Sequence, residues 1–260
     1  VEPAVTSFCD YLVSHLIEQE VALFSASSRL KAESDPEALH DLRIAVRRLR
    51  SLLHAVRGMP GIDELEQALG DMGRLSGPLR DLEVLLPALE AEGYERAAAL
   101  RRPALISGYA TLLASPQWER LLLRLDGWPQ LWRTAERHGV LKGLHGKVEK
   151  RLAREWRKLR DALEDPAHDR HRLRLLIKRV RYSLEAYPKE SAVPQRLLAP
   201  LKDAQSALGD WHDYEQWLIR SERELDLMPL QPHWNARHDL AERLADESLE
   251  ALRKALHRAR

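Results

Sequence analysis

His40-Asp41-Leu42-Arg43-Ile44-Ala45-Val46-Arg47-Arg48-Leu49-Arg50 is answered half a chain later by His171-Arg172-Leu173-Arg174-Leu175-Leu176-Ile177-Lys178-Arg179-Val180-Arg181. His, Leu, Arg, a β-branched residue, two basics, an aliphatic and Arg fall in one register at an offset of 131 residues. Repetition at that distance marks a duplicated unit. At ~100° per residue, His40, Arg43, Arg47 and Arg50 lie within about 80° of one another, a stripe ~15 Å long. Leu42, Val46, Leu49 and Leu53 lie opposite and read as the core face. His171, Arg174, Lys178 and Arg181 repeat the stripe; Leu173, Ile177, Val180 and Leu184 repeat the core face. Like charges at i,i+3 and i,i+4 destabilise an isolated helix. A row built twice therefore points to an anionic ligand.

Bulk composition narrows the classes. The chain has 260 residues, 44% hydrophobic and 31% charged, enough for a soluble core in one large or two small domains. Net charge is only +1, so an anion site must come from segregated charge rather than a bulk polycation. Residues 170–181 hold six Lys/Arg and no acid, whereas 62–95 hold nine acids against Arg74 and Arg80. Cys9 is the one cysteine, which excludes an intramolecular disulfide and a Cys-based zinc site. No apolar run approaches a membrane span, and the first residues carry no signal-peptide pattern.

Periodicity reads as helix nearly throughout, with no strand-like alternation. Helices are expected near 4–33, 36–57, 62–91 and 94–126, then near 138–164, 167–187, 194–226 and 232–259. Asp35-Pro36 and Asp165-Pro166 precede the two basic helices as start signals. The domain reading is a first repeat over 1–126, a packed connector over 127–137 containing Trp128 and Trp132, and a second repeat over 138–260. Gly77-Pro78-Leu79-Arg80-Asp81-Leu82 aligns with Gly209-Asp210-Trp211-His212-Asp213-Tyr214 at offset 132. Gly77-Pro78 is expected to interrupt its helix, and a Gly in both copies suggests a kink or a close helix approach. Asp81 and Asp213 are candidates to hold the Arg and His residues of the basic helices.

These paired elements resemble the CHAD family, the conserved histidine α-helical domain. The resemblance spans essentially the whole chain. It implies an all-α protein of two pseudo-symmetric four-helix bundles with a basic, helix-lined cavity between them. It implies binding of inorganic polyphosphate without catalysis, no cofactor and no metal. Family positions fall on His40 and His171, and on Arg43, Arg47, Arg50, Arg174, Lys178 and Arg181, with Arg48 and Arg179 beside them. Arg80 also falls on a basic family position, and Lys202 completes the expected polyphosphate contacts. His212 departs from the pattern by standing where the first copy has Arg80. Relatives fused to a triphosphatase domain carry a Glu-x-Glu-x-Lys run; Glu18-Gln19-Glu20-Val21-Ala22 lacks the Lys, so the chain resembles the stand-alone form. The family further implies a cytoplasmic protein associated with polyphosphate granules.

The chemistry suits that ligand. Polyphosphate is a flexible line of anions with no bases to read, and guanidinium forks grip phosphate oxygens bidentately. Two readings from other classes stay open. His40-Asp41 and His212-Asp213 resemble the dyad of metal-dependent phosphohydrolases, and His168 and His171 are spaced to touch one metal; no carboxylate pair completes either site. An RNA-binding helical module is the other, although the seven Trp residues are not interleaved with the basic stripes. No phosphate-binding Gly loop, nucleophile elbow or cofactor fingerprint occurs.

Overall fold

A computed structural model describes residues 7–165, 167 and 169–258. Among the described residues there is helix and turn but no strand. The helices run in the order α1 Phe8–Lys31, α2 Ala38–His54, α3 Ile62–Ala91, α4 Glu95–Leu113, α5 Pro116–Arg137, α6 Leu144–Glu164, α7 Arg170–Ala186, α8 Leu198–Ser221 and α9 Gln231–His257. The chain divides between Val148 and Glu149 into two compact units.

In the first unit, Ser7 caps α1 by accepting a hydrogen bond from the Asp10 N–H at 3.0 Å. Leu12, Val13, Leu16 and Leu23 face inward from α1. The expected core face of α2, Leu42, Val46, Leu49 and Leu53, is buried in full. Arg29, at the end of α1, bridges to Asp35 and, at 2.8 Å, to Asp41, which fixes the turn into α2. That turn differs in detail from the expected start signal. Asp35 accepts from the Glu37 N–H at 2.9 Å, and α2 begins only at Ala38. The Asp-Pro pair shapes the turn before the helix rather than its first residue.

Three further expectations change. First, α3 runs unbroken through Gly77-Pro78 and Pro87. Proline removes one ladder hydrogen bond, and the many buried leucines of this long helix offset the loss. Second, a Cβ at Gly77 or Gly209 would meet nothing within 4 Å, so neither glycine marks a close approach. Third, the helix expected over 94–126 is two helices. Ser115 breaks it by accepting from the Trp118 N–H at 3.2 Å, with Pro116 opening α5. Residues 127–137 form the second half of α5 and pack into the first unit. Trp128 and Trp132 lie 4.4 Å apart between ring centroids, and Trp132 Nε1 donates to the Pro60 carbonyl at 3.1 Å. Trp132 is completely buried. Trp132→Ala therefore removes a filled volume and orphans that carbonyl; urea denaturation is expected to report a loss of about 3–5 kcal/mol. A loss below about 1 kcal/mol would mean the helix is peripheral to the core.

The second unit is built from α6 to α9 around Leu159, Leu163, Leu173, Ile177, Val180, Leu201, Leu208 and Leu249. Asp169 caps α7 by accepting from the His171 N–H at 2.9 Å. Leu173, Ile177 and Val180 are buried as the repeat predicts, and Leu184 is half-buried. Arg253 of α9 donates through Nε to the Leu163 carbonyl at 2.7 Å and so satisfies an end carbonyl of α6. No helix among the described residues is long and apolar enough to cross a membrane.

Candidate polyanion-binding site

The packing of Leu42, Val46 and Leu49 inward turns the basic row of α2 toward α3. His40, Arg43 and Arg47 are half-buried, while Arg48 and Arg50 are exposed. Arg43 reaches across to α3 and donates through Nη1 to Ser76 Oγ at 2.7 Å and to the Gly73 carbonyl at 3.3 Å. Ser76 is fully buried and itself donates to the Met72 carbonyl at 2.7 Å. A Cβ at Gly73 would sit 3.5 Å from Arg50 Nη1, so the guanidinium of Arg50 also lies over this stretch of α3. Gly77, one turn further, borders open space.

Arg80 closes the same face. It donates through Nη1 to Glu83 at 3.0 Å, and Glu83 accepts a second bond from the Tyr109 hydroxyl at 2.8 Å. Burial, then the Glu83 bond, push the Tyr109 phenol well above its ordinary value, so it stays a donor. Burial lowers the Arg43 pKa, with the Asp81 carboxylate opposing that shift and Arg80 adding to it. Asp81, expected to hold the basic residues in place, acts on Arg43 through its charge; the hydrogen bonds of Arg43 go to Ser76 and Gly73. His40 is held below the ordinary imidazole value, first by burial and then by the Arg80 charge; Glu37 and Asp41 oppose this and Arg47 adds to it.

The second unit repeats the row but not all its contacts: His212 stands in place of Arg80, and Leu208 stands where Ser76 bonds Arg43. Burial lowers the Arg174 pKa, and Asp213 opposes the shift as Asp81 does for Arg43. Arg174 Nε makes no hydrogen bond among the described residues although it is buried. Lys178 is half-buried, and Arg179 is exposed on the flank of α7. Arg181 is partly committed: it bridges Glu185 at 3.0 Å and lies 5.3 Å from the Tyr182 ring centroid. Lys202 is exposed on α8, one turn from Gln205 and two from Gly209. His212, at the Arg80 position, faces the His171 ring with centroids 5.9 Å apart. Its Nδ1 lies 3.2 Å from Glu215. His212 is held below the ordinary imidazole value by burial first and Arg174 second; Glu215 opposes this and His171 adds to it. His171 itself is exposed.

Glu83 and Glu215 are the site residues that sequence reading passed over. Each stands six residues after the repeated glycine, at the same offset of 132. Each holds the residue three positions before it, Arg80 or His212. Identity at equivalent repeat positions was the available signal, but acids abound in 62–95 and nothing local distinguishes this one.

One group of possible metal ligands exists among the described residues, His238, Asp239 and Glu242 on α9. It is not on either basic row, and Glu242 already bridges Arg170 at 2.8 Å. His168, paired with His171 in the metal reading of the sequence, lies outside the described residues.

The CHAD domain pattern matches residues 15–222, most of the chain. This protein belongs to the CHAD family. Among solved structures, it is similar to the CHAD domain of the plant Ricinus communis. The two are 25% identical with a TM-score of 0.73, over 97% of this chain and 92% of that one. PptA from Streptomyces chartreusis is 20% identical with a TM-score of 0.52, over 93% of this chain and 99% of the other, a likeness of fold alone. No curated protein matches the chain at a significant level. Within this CHAD domain both basic helices thus carry their cations on a face already backed by a buried core. Each presents a half-buried arginine with further cations beside it.

Proposed function

We propose that this CHAD domain binds inorganic polyphosphate in a basic channel to which both duplicated rows contribute, and leaves the polymer chemically unchanged. The contacts are assigned to His40, Arg43, Arg47, Arg48, Arg50 and Arg80 from the first bundle. From the second they are His171, Arg174, Lys178, Arg179, Arg181 and Lys202. The observation that carries this reading is the duplicated cationic row itself: His40, Arg43 and Arg47 of α2, and Arg174 and Lys178 of α7, lie half-buried on a face opposite a buried core. A Cβ at Gly77 or Gly209 would meet nothing within 4 Å, so the helix surface three residues before Arg80 and His212 has room for an anion.

The energetics favour a polymer over a single phosphate. Each guanidinium-to-phosphate contact is a charge-assisted hydrogen bond. Consecutive contacts also release counterions condensed on the chain, which lends much of the affinity its entropic origin. A flexible line of phosphates reaches several cations at once, whereas orthophosphate reaches one or two. The protein is accordingly assigned to the cytoplasm, at polyphosphate granules.

Titration of the purified chain with long-chain polyphosphate, with and without Mg²⁺ or Mn²⁺, tests this. Binding without shortening of the polymer is expected under both conditions. Metal-dependent shortening would replace the binding reading with a phosphohydrolase one. Tighter binding of RNA than of polyphosphate at equal charge would replace it with an RNA-binding one.

A further inference from the structure

The second unit carries another dense row of cations that the duplicated motif does not include. Lys150, Arg151, Arg154, Arg157 and Lys158 of α6 fall within about 120° of one another over ~12 Å of helix. The buried residues of α6, Leu152, Leu159 and Leu163, lie on the opposite side. Between residues 150 and 158 there is one acid, Glu155. It is buried and accepts from the Ser183 hydroxyl of α7 at 3.3 Å, so it lies off the outer face. Lys150, Arg154, Arg157 and Lys158 are exposed and form no ion pair among the described residues.

The row is not a consequence of the duplication. Its counterpart by position, α1, has only Arg29 and Lys31 as cations, both in its last turn. Repulsion at i,i+3 and i,i+4 makes such a row unfavourable for the helix alone, and in a chain of net charge +1 it is a marked concentration. We propose that the outer face of α6 is a second docking surface for polyphosphate, which takes up the polymer beyond the segment held by the His171 row. This rests on the polyphosphate reading above.

The side chains in the row decide the class of anion. It contains no aromatic or amide group with which to stack on or read a base. Trp156, the aromatic residue of this helix, packs against the core. No large apolar side chain of α6 is exposed, as a helix lying in a membrane surface requires. What remains is a straight line of fixed positive charge, which suits a flexible polyanion. A long chain held at both surfaces gains from effective concentration, and a short chain that fills only one does not.

The test uses the full chain in which Lys150, Arg154, Arg157 and Lys158 are all changed to Gln. Short-chain and long-chain polyphosphate are each titrated over a range of salt. Long-chain affinity is expected to fall about tenfold or more, and its log–log salt slope to shrink by about three. Short-chain affinity should stay within about twofold of the parent. Arg154→Glu with Lys158→Glu, a smaller change on exposed positions, should give the same split, and circular dichroism checks the fold of both. Unchanged long-chain binding and slope, with the parent still binding, overturns this surface and leaves the proposed function standing. Equal loss for short and long chains makes α6 part of the primary site and overturns a second surface. Loss of duplex RNA binding without loss of polyphosphate assigns the row to nucleic acid and overturns the proposal. Failure of the parent to bind either polyphosphate overturns the functional reading itself.

Discussion

Changing Arg43, Arg47, Arg174 and Lys178 together to alanine is expected to weaken polyphosphate binding by roughly a hundredfold or more at moderate salt. Four charge-assisted contacts and their released counterions disappear at once. The log–log salt slope should flatten by about three, counting ~0.7 per lost contact to a single-stranded polyanion. Stability should change far less. Arg43 has fixed partners, Ser76 and the Gly73 carbonyl, and Ser76 keeps its bond to Met72 when the guanidinium goes. The loss there is about 1 kcal/mol, and the relief of like-charge repulsion along each row offsets part of it. A matched control changes Arg96, Arg120, Arg124 and Arg137, four exposed cations off the rows. Filter binding across a salt series, with thermal melts of both variants, distinguishes site from general charge. An equal loss in the control would mean that position on the rows carries no information.

Lowering the pH from about 8 to about 6 is expected to strengthen polyphosphate binding by roughly tenfold beyond any effect on the polymer. In the free protein, burial and Arg80 disfavour the His40 imidazolium, and burial and Arg174 do the same for His212. A bound anion reverses the balance at both rings, because negative charge favours the imidazolium. Binding therefore takes up protons, and by linkage it tightens as protons become available. The sign for stability is opposite. A base whose folded value lies below its unfolded one binds more protons when unfolded, so the free protein loses stability as pH falls through about 6.5. Polyphosphate should suppress that loss. His40→Gln with His212→Gln keeps hydrogen-bonding capacity, removes both titrations, and should leave binding at pH 8 within about threefold while flattening the profile. Calorimetry in buffers of different ionisation enthalpy counts the protons directly. If the double variant keeps the parent's pH dependence, these imidazoles are structural and the polymer's own titration governs the profile.

The helical class, the duplication and the buried side of each basic helix are all legible along the chain. They are consequences of spacing on a 3.6-residue period, so the inward facing of Leu42, Val46, Leu49 and Leu53, and of Leu173, Ile177 and Val180, follows from residue order alone. The family followed from the order of two motifs in two copies. Helix ends were less legible, because they depend on single capping bonds. Ser115 breaks a helix that periodicity continues, and Gly77-Pro78 fails to break one, since burial of the flanking leucines outweighs one missing backbone bond. The partners that the charged groups find on neighbouring helices were set by packing alone. That Arg43 ends on Ser76, that Glu83 reaches Tyr109, and that His212 meets His171 all depend on how neighbouring helices dock. Contacts between side chains 26 to 41 residues apart leave no local periodic trace. The buried environment that disfavours the charged form of His40 and His212 likewise exists only once those helices are packed.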